Sequence, residues 1–143
     1  MILSAQSLFS DDQAITASAD STNVYDLGVA GTPYDAAAAL NRDIGKGAGV
    51  PILIQVTEDF NNLTSLTVNI STGATTALGT TIASQTIALA DLVAGKQTSI
   101  VVLPNDITER YLGVEYVVTG SAPTTGKVTA GLTMGVQTNI NGA

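Results

Sequence analysis

The stretch "RYLGVEYVVTGSAPTTGKVTAGLTMGVQ", Arg110 to Gln137, alternates apolar residues with small or polar ones on both sides of a Gly/Pro-rich interruption. A helix turns through about 100° per residue and would scatter such a pattern around its surface, whereas a strand gathers it on one face. Leu112, Val114, Tyr116 and Val118 then share one face and Tyr111, Gly113, Glu115 and Val117 the other. The second half repeats the pattern, with Val128, Ala130, Leu132, Met134 and Val136 opposite Thr129, Gly131, Thr133, Gly135 and Gln137. Gly120, Pro123 and Gly126 lie in the interruption, which predicts a long-looped hairpin.

The same period recurs upstream. "SLTVNIS" sets Leu66, Val68 and Ile70 inward against Ser65, Thr67, Asn69 and Ser71 outward, and "TIASQTIAL" from Thr81 to Leu89 is a further strand. "VPILIQV" is apolar on both faces around Gln55, as a central strand would be. "SIVVL" from Ser99 to Leu103 adds another strand, and "NVYDL" from Asn23 to Leu27 one more if it pairs. Turn clusters separate these runs, a spacing that predicts an all-β chain folded as a sandwich or barrel with little helix. The segment "PYDAAAALNRDIG" fits either one or two helical turns or a long loop, since alanine favours helix and Asp35 would face the positive helix start. Residues 1–22 show no clear period and are expected to form an extended arm or an irregular edge strand, followed by one domain over 23–137 and a tail at 138–143. With only two Phe, four Tyr and no Trp, the core must be built from aliphatic side chains, which suits pleated sheets.

Composition narrows function as well as fold. The chain has no cysteine and no histidine, so thiol nucleophiles, disulfides, the usual zinc or iron ligands and the commonest general base are all missing. The formal net charge of −7 opposes a phosphate backbone, and nucleic acid is not an expected partner. No window approaches the ~20 apolar residues that span a bilayer, and "MILSAQSLFSDDQ" lacks the basic start of a secretory signal. No membrane association is therefore expected, and synthesis is expected in the cytoplasm. The sequons at Asn62 and Asn69 carry little weight without a secretory route.

Three groups of residues invite a site. The glycine cluster "RDIGKGAGVP" differs from a P-loop because Lys46 precedes Gly47 rather than Ser or Thr, and the segment leads into a strand rather than a helix. It reads as a loop, with Arg42, Asp43 and Lys46 available to a partner. Asp11 and Asp12, like Glu58 and Asp59, are neighbours that point to opposite faces of an extended chain and do not naturally share a proton or clasp a metal. Asp106, Glu109 and Arg110 could form a local ion pair before the long strand. Catalysis would have to rest on carboxylates alone, and no pair is singled out by spacing, so no enzyme, cofactor or metal is expected. Thr64, Ser65, Thr67, Ser99, Thr129 and Thr133 with Gly113, Gly131 and Gly135 predict a flat, weakly charged outer surface that suits protein against protein.

Three segments in order, "STNVYDLG", "RDIGKGAGVPILIQV" and the opening stretch, resemble the capsid cement, or decoration, proteins of tailed bacteriophages of the kind found in a Bordetella podovirus. The likeness runs from about Ser21 to Gln137, while "AGTPYDAAAALN" is an insertion relative to the family. It implies an antiparallel jelly-roll β-sandwich of about eight strands, seated on the outer capsid surface of the virion and clamping neighbouring major capsid protein subunits against internal pressure. It also implies self-association, a homodimer ahead of a trimer. Asp26, Arg42, Asp43, Arg110, Tyr111 and Lys127 carry over as members of the shared segments, and Lys46 joins them as a candidate interface residue. The rival is a glycan- or receptor-binding β-sandwich, which would need exposed rings from Tyr25, Tyr34, Tyr111 or Tyr116, the last expected to point inward.

Overall fold

A computed structural model describes residues 3–39, 49–102, 107 and 109–134. Among the described residues nine strands fall in chain order: β1 (Leu8–Ala14), β2 (Ala19–Asp20), β3 (Tyr25–Asp26), β4 (Val50–Glu58), β5 (Leu63–Gly73), β6 (Thr80–Ala88), β7 (Gln97–Val102), β8 (Tyr111–Gly120) and β9 (Lys127–Leu132). They form two antiparallel sheets, one ordered β1-β9-β4-β7 and the other β2-β8-β5-β6, with β3 also on β8. Since β2 and β3 pair with successive parts of β8, they act as one interrupted edge strand. Two four-stranded sheets with this order are a jelly roll.

The alternation seen in the sequence decides which side chains face the gap between the sheets. Leu66, Val68 and Ile70 of β5, Leu112, Val114 and Tyr116 of β8, Ile52, Ile54 and Val56 of β4, and Val128 and Ala130 of β9 are all buried in one cluster. At ~25 cal/mol per Å² of apolar area, each such side chain stabilises the fold by roughly 1.5–3 kcal/mol before its entropy cost is set against it. β4 lies between β7 and β9, and its Leu53 is fully buried on the face opposite the core, as expected of a central strand. "NVYDL" does pair, through Tyr25 with Leu112 and Asp26 with Tyr111.

Three expectations change. β8 and β9 are not a hairpin: they belong to different sheets, and the connection between them crosses the sandwich. Alternation specifies that a strand has one buried face, not which strand lies beside it. The crossing is held by Asn61, whose side-chain oxygen accepts from the amides of Thr124 (2.8 Å) and Thr125 (3.3 Å) while its nitrogen donates to Thr124 Oγ1 (2.8 Å). It closes at Gly126, where φ is +130° and an added Cβ would lie 2.3 Å from the Phe60 ring. Second, β9 ends at Leu132, so Met134 is fully exposed rather than inward, and Val136 lies outside the described residues. Third, Ser71 is buried, not outward, where a register shift between Ile70 and Ser71 ends the simple alternation of β5. Of the two readings left open for "PYDAAAALNRDIG", the described part, Pro33 to Ala39, takes the non-helical one, with turns and bends. Asp35 there has a left-handed φ of +63° and every residue of the run is exposed, so alanine propensity has no packing to reinforce it.

The N-terminal segment is an irregular edge strand. β1 pairs with β9 through two register shifts, yet Phe9 and Ile15 are fully buried in the core. Polar bonds hold it in place. Ser10 Oγ donates to Gln13 Oε1 (2.7 Å) and lies 2.8 Å from the Tyr116 hydroxyl, which is left as the donor to Ser10. Gln13 in turn accepts from the Thr22 amide (3.0 Å) and donates to the Asp20 carbonyl (2.9 Å), tying the edge of one sheet to the edge of the other. Burial pushes the Tyr116 phenol well above its ordinary pKa, the hydrogen bond with Ser10 opposing only part of that, so the ring stays neutral.

Candidate functional site

The candidate interface residues separate into two groups at opposite ends of the sandwich. β8 begins at Tyr111 and ends at Gly120, and β9 returns from Lys127, so Arg110 and Tyr111 sit one strand length from Lys127.

At the first end, the pairing of Asp26 with Tyr111 brings the Asp26 carboxylate onto the Arg110 guanidinium. The contact is bidentate, with Arg110 Nε donating to Asp26 Oδ1 at 2.8 Å and Nη2 to Oδ2 at 2.7 Å. Asp26 Oδ1 also accepts from the Gly28 amide (2.8 Å), and the Leu27 amide donates to the Arg110 carbonyl (2.9 Å). The guanidinium lies 5.0 Å from the centre of the Tyr111 ring, within cation–π range. The hydrogen bond from Arg110 to Asp26 raises the guanidinium's already high pKa. The ion pair expected among Asp106, Glu109 and Arg110 does not involve Glu109, which instead accepts from Thr72 Oγ1 at 3.2 Å, and Asp106 lies outside the described residues. Strand register overrides sequence proximity. Asp26, Arg110 and Tyr111 thus form one preorganised, partly exposed polar patch. Arg42, Asp43 and Lys46 lie outside the described residues.

At the second end, Lys127 Nζ lies 3.0 Å from Asp12 Oδ2 and 3.6 Å from Glu58 Oε2. One acid from each adjacent pair is therefore recruited to a common cation, while Asp59 accepts from the Ala94 amide at 2.6 Å. Asp12 has a left-handed φ of +47° and receives a 2.7 Å bond from Thr57 Oγ1, and its amide donates to Thr129 Oγ1 at 3.0 Å. The bond from Thr57 and then that from Lys127 hold the Asp12 carboxyl below its ordinary value, and Asp12 in turn raises Lys127. No local sequence signal marks this cluster, because it exists only once β1 and β4 flank β9.

The flat surface expected from threonine and glycine does not form as one surface. Thr64, Ser65, Thr67 and Gly113 belong to one sheet, Ser99, Thr129 and Gly131 to the other, Thr133 follows β9, and Gly135 lies outside the described residues. The room above two of the glycines is filled by the chain itself. An added Cβ at Gly113 would lie 2.5 Å from Leu78 Cδ1, and one at Gly131 would lie 3.0 Å from both Leu8 Cδ2 and the Ser7 carbonyl oxygen.

An open cleft of about 300 Å³ lies between β6 and β7. Ile54, Val56 and Ile87 line it together with Gln85, Thr98, Asp91 and Lys96, and Thr98 Oγ1 donates to Gln85 Oε1 at 3.0 Å. Among the described residues no group of three or more acids could hold a metal ion, and no helix is long and apolar enough to cross a membrane.

Residues 9–132 match the family model described as Bbp16. The chain belongs to the Bbp16 family. This is a Bordetella phage protein family, and the match runs from Phe9 in β1 to Leu132 at the end of β9, so it covers both sheets of the sandwich. No curated protein matches the chain. The sequence resemblance to a phage family is thus upheld, and the two-sheet jelly roll it implied is the fold of this Bbp16-family chain.

Proposed function

We propose that the chain is a capsid cement protein, which binds the outside of an icosahedral phage head and clamps neighbouring major capsid protein subunits against the pressure of packaged DNA. The observation that carries this reading is the Bbp16 match across the complete jelly roll, joined to a site inventory that consists of ion pairs and surfaces. The role is mechanical. An antiparallel sandwich closed by a large aliphatic core resists shear, and polar patches at both ends allow one rigid body to touch two neighbours. Asp26, Arg110 and Tyr111 make the first foothold, and Lys127 with its acids the second. Two subunits joined as a homodimer would turn modest footholds into a strong clamp by effective concentration. No catalytic step is part of this function.

Co-sedimentation of the purified protein with cement-free mature shells, at low and high salt, tests the proposal. Saturable binding that salt weakens is expected, since a chain of net charge −7 must meet complementary basic surface. A folded protein that fails to sediment with the shells at either salt overturns the reading. Binding to a glycan array instead would favour the carbohydrate-binding alternative, for which Tyr116 is lost to the core and Tyr34 is the fully exposed ring.

A further inference from the structure

Tyr25 is placed by its pairing. Its cross-strand neighbour is Leu112, a core residue, and residues directly opposed in an antiparallel pair share a face, so Tyr25 lies on the side of β3 that meets the gap between the sheets. Yet β3 pairs with β8 alone, at the edge, and Tyr25 keeps 40% of its surface exposed. It lines a hollow of about 260 Å³ between β3 and the chain that leads into β1. Ala5, Gln6 and Leu8 form one wall, and Asn23 and Val24 complete the other.

The lining is held in position by the backbone. The Asn23 amide donates to the Phe9 carbonyl at 2.9 Å and its carbonyl accepts from Ser21 Oγ at 2.8 Å, while Gln6 sits in a single 3-10 turn, Ala5–Ser7, capped by Ser4. The polar tips are left largely unspent: Asn23 Nδ2 reaches the Leu8 carbonyl only at 3.4 Å, and among the described residues the side-chain amide of Gln6 makes no hydrogen bond. In a chain with twelve acidic residues, no charged side chain lines this hollow. What it offers is one aromatic ring, two aliphatic side chains and two planar amides, each amide carrying a donor beside an acceptor. That set suits an uncharged ligand with an apolar face and adjacent hydroxyls.

We propose that this hollow binds one pyranose ring of a neutral sugar, with the C–H face of the ring on Tyr25 and neighbouring hydroxyls on the amides of Gln6 and Asn23. Its volume falls just below the ~300–1,000 Å³ of sites that enclose drug-sized ligands, which leaves room for a single ring and not for a buried oligosaccharide. A negatively charged sugar is disfavoured, because no cation lines the site. The proposal does not rest on the cement reading and is tested on the free protein.

Titration of the full chain with the methyl pyranosides of glucose, mannose, galactose and N-acetylglucosamine, followed by residue-resolved NMR, tests this, with sorbitol as a polyol that lacks a ring face. Saturable shifts centred on Gln6, Leu8, Asn23, Val24 and Tyr25 are expected for at least one glycoside, with a Kd of about 1–10 mM for so small a ligand in an open site. Tyr25→Ala should weaken that binding at least about tenfold, and Tyr25→Phe, which keeps the ring, less than about threefold. Gln6→Ala, at an exposed position outside both sheets, should weaken it about fivefold and carries the test if Tyr25→Ala does not fold. Absence of shifts with all four glycosides up to about 100 mM, ten times the upper Kd, overturns the proposal. Equal shifts with sorbitol overturn it as a general polyol effect, and shifts centred on β6 and β7 overturn it as binding elsewhere. Unchanged affinity in the folded Gln6→Ala and Tyr25→Ala proteins does the same.

Discussion

The β5–β8 pair and the β1 edge hold the same sandwich together by different means. β5 and β8 are long, keep their pairing from Ser65 with Thr119 to Gly73 with Tyr111 without a shift, and bury alternate aliphatic side chains. β1 shifts register twice and relies on Ser10, Asp12 and Gln13 for its position. Apolar burial is non-directional and tolerates repetition, whereas hydrogen bonds fix one geometry. Where alternation fails, side-chain polar groups take over the task of setting register.

The sharpest way to break the comparison is to attack the regular pair. Val114→Asp places an unpaired charge at a fully buried position and should cost roughly 3–5 kcal/mol. Soluble protein with an unchanged melting temperature would mean that the β8 face is not the core. Next comes Gly126→Ala, at the turn whose carbonyl accepts from the Ile15 amide just beyond β1. The left-handed backbone and the Phe60 ring both oppose a Cβ, so a loss of about 1–3 kcal/mol is expected in urea unfolding. Phe60→Leu in the same background should recover part of it. A neutral Gly126→Ala would show that the crossing loop is loosely set.

Tyr116→Phe tests whether the polar network belongs to β1 or only accompanies it. Removing the hydroxyl leaves buried Ser10 without one partner, for an expected loss of about 1–2 kcal/mol and faster amide exchange in β1 than in β5. Equal acceleration in both strands would dissolve the distinction between them. The smallest effect is that of Asp12→Asn. Because Thr57 and Lys127 lower the folded-state pKa of Asp12 from its ordinary 3.8, its contribution is present above that value and fades as pH falls through the lower one. The substitution should lower stability slightly at neutral pH and not at all once Asp12 would be protonated, which flattens the acid limb of a stability–pH profile. An unaltered acid limb would show that the Asp12 contacts contribute nothing to β1.

The two regions also differ in how far they could be read in advance. Leu66, Val68, Ile70, Leu112, Val114 and Tyr116 are legible as core residues because burial on one face leaves a local imprint of period two. The partner of β8 was not legible: β5 and β9 present equally good apolar faces, and the choice rests on the crossing loop pinned by Asn61. The polar anchors of β1 left no imprint, since Ser10 meets Tyr116 only after the sheets have packed. Among the site residues, Asp26 lies in a different sequence segment from Arg110 and Tyr111. Their convergence needed the β3–β8 register, and the meeting of Asp12 and Glu58 on Lys127 needed three strands at once.

The pairing of β1 with β9 joins the first described strand to the last. During synthesis the ribosome releases Phe9 and Ile15 long before Val128 and Ala130 exist to receive them. The nascent chain must carry Phe9 and Ile15 without their β9 neighbours until β9 has been made, and closure of this seam becomes a non-local event. A polar latch made of Ser10, Gln13 and Tyr116 suits that timing, because it ties β1 to β8, the strand made just before β9, and so can hold the early strand in place while its sheet partner is still being made.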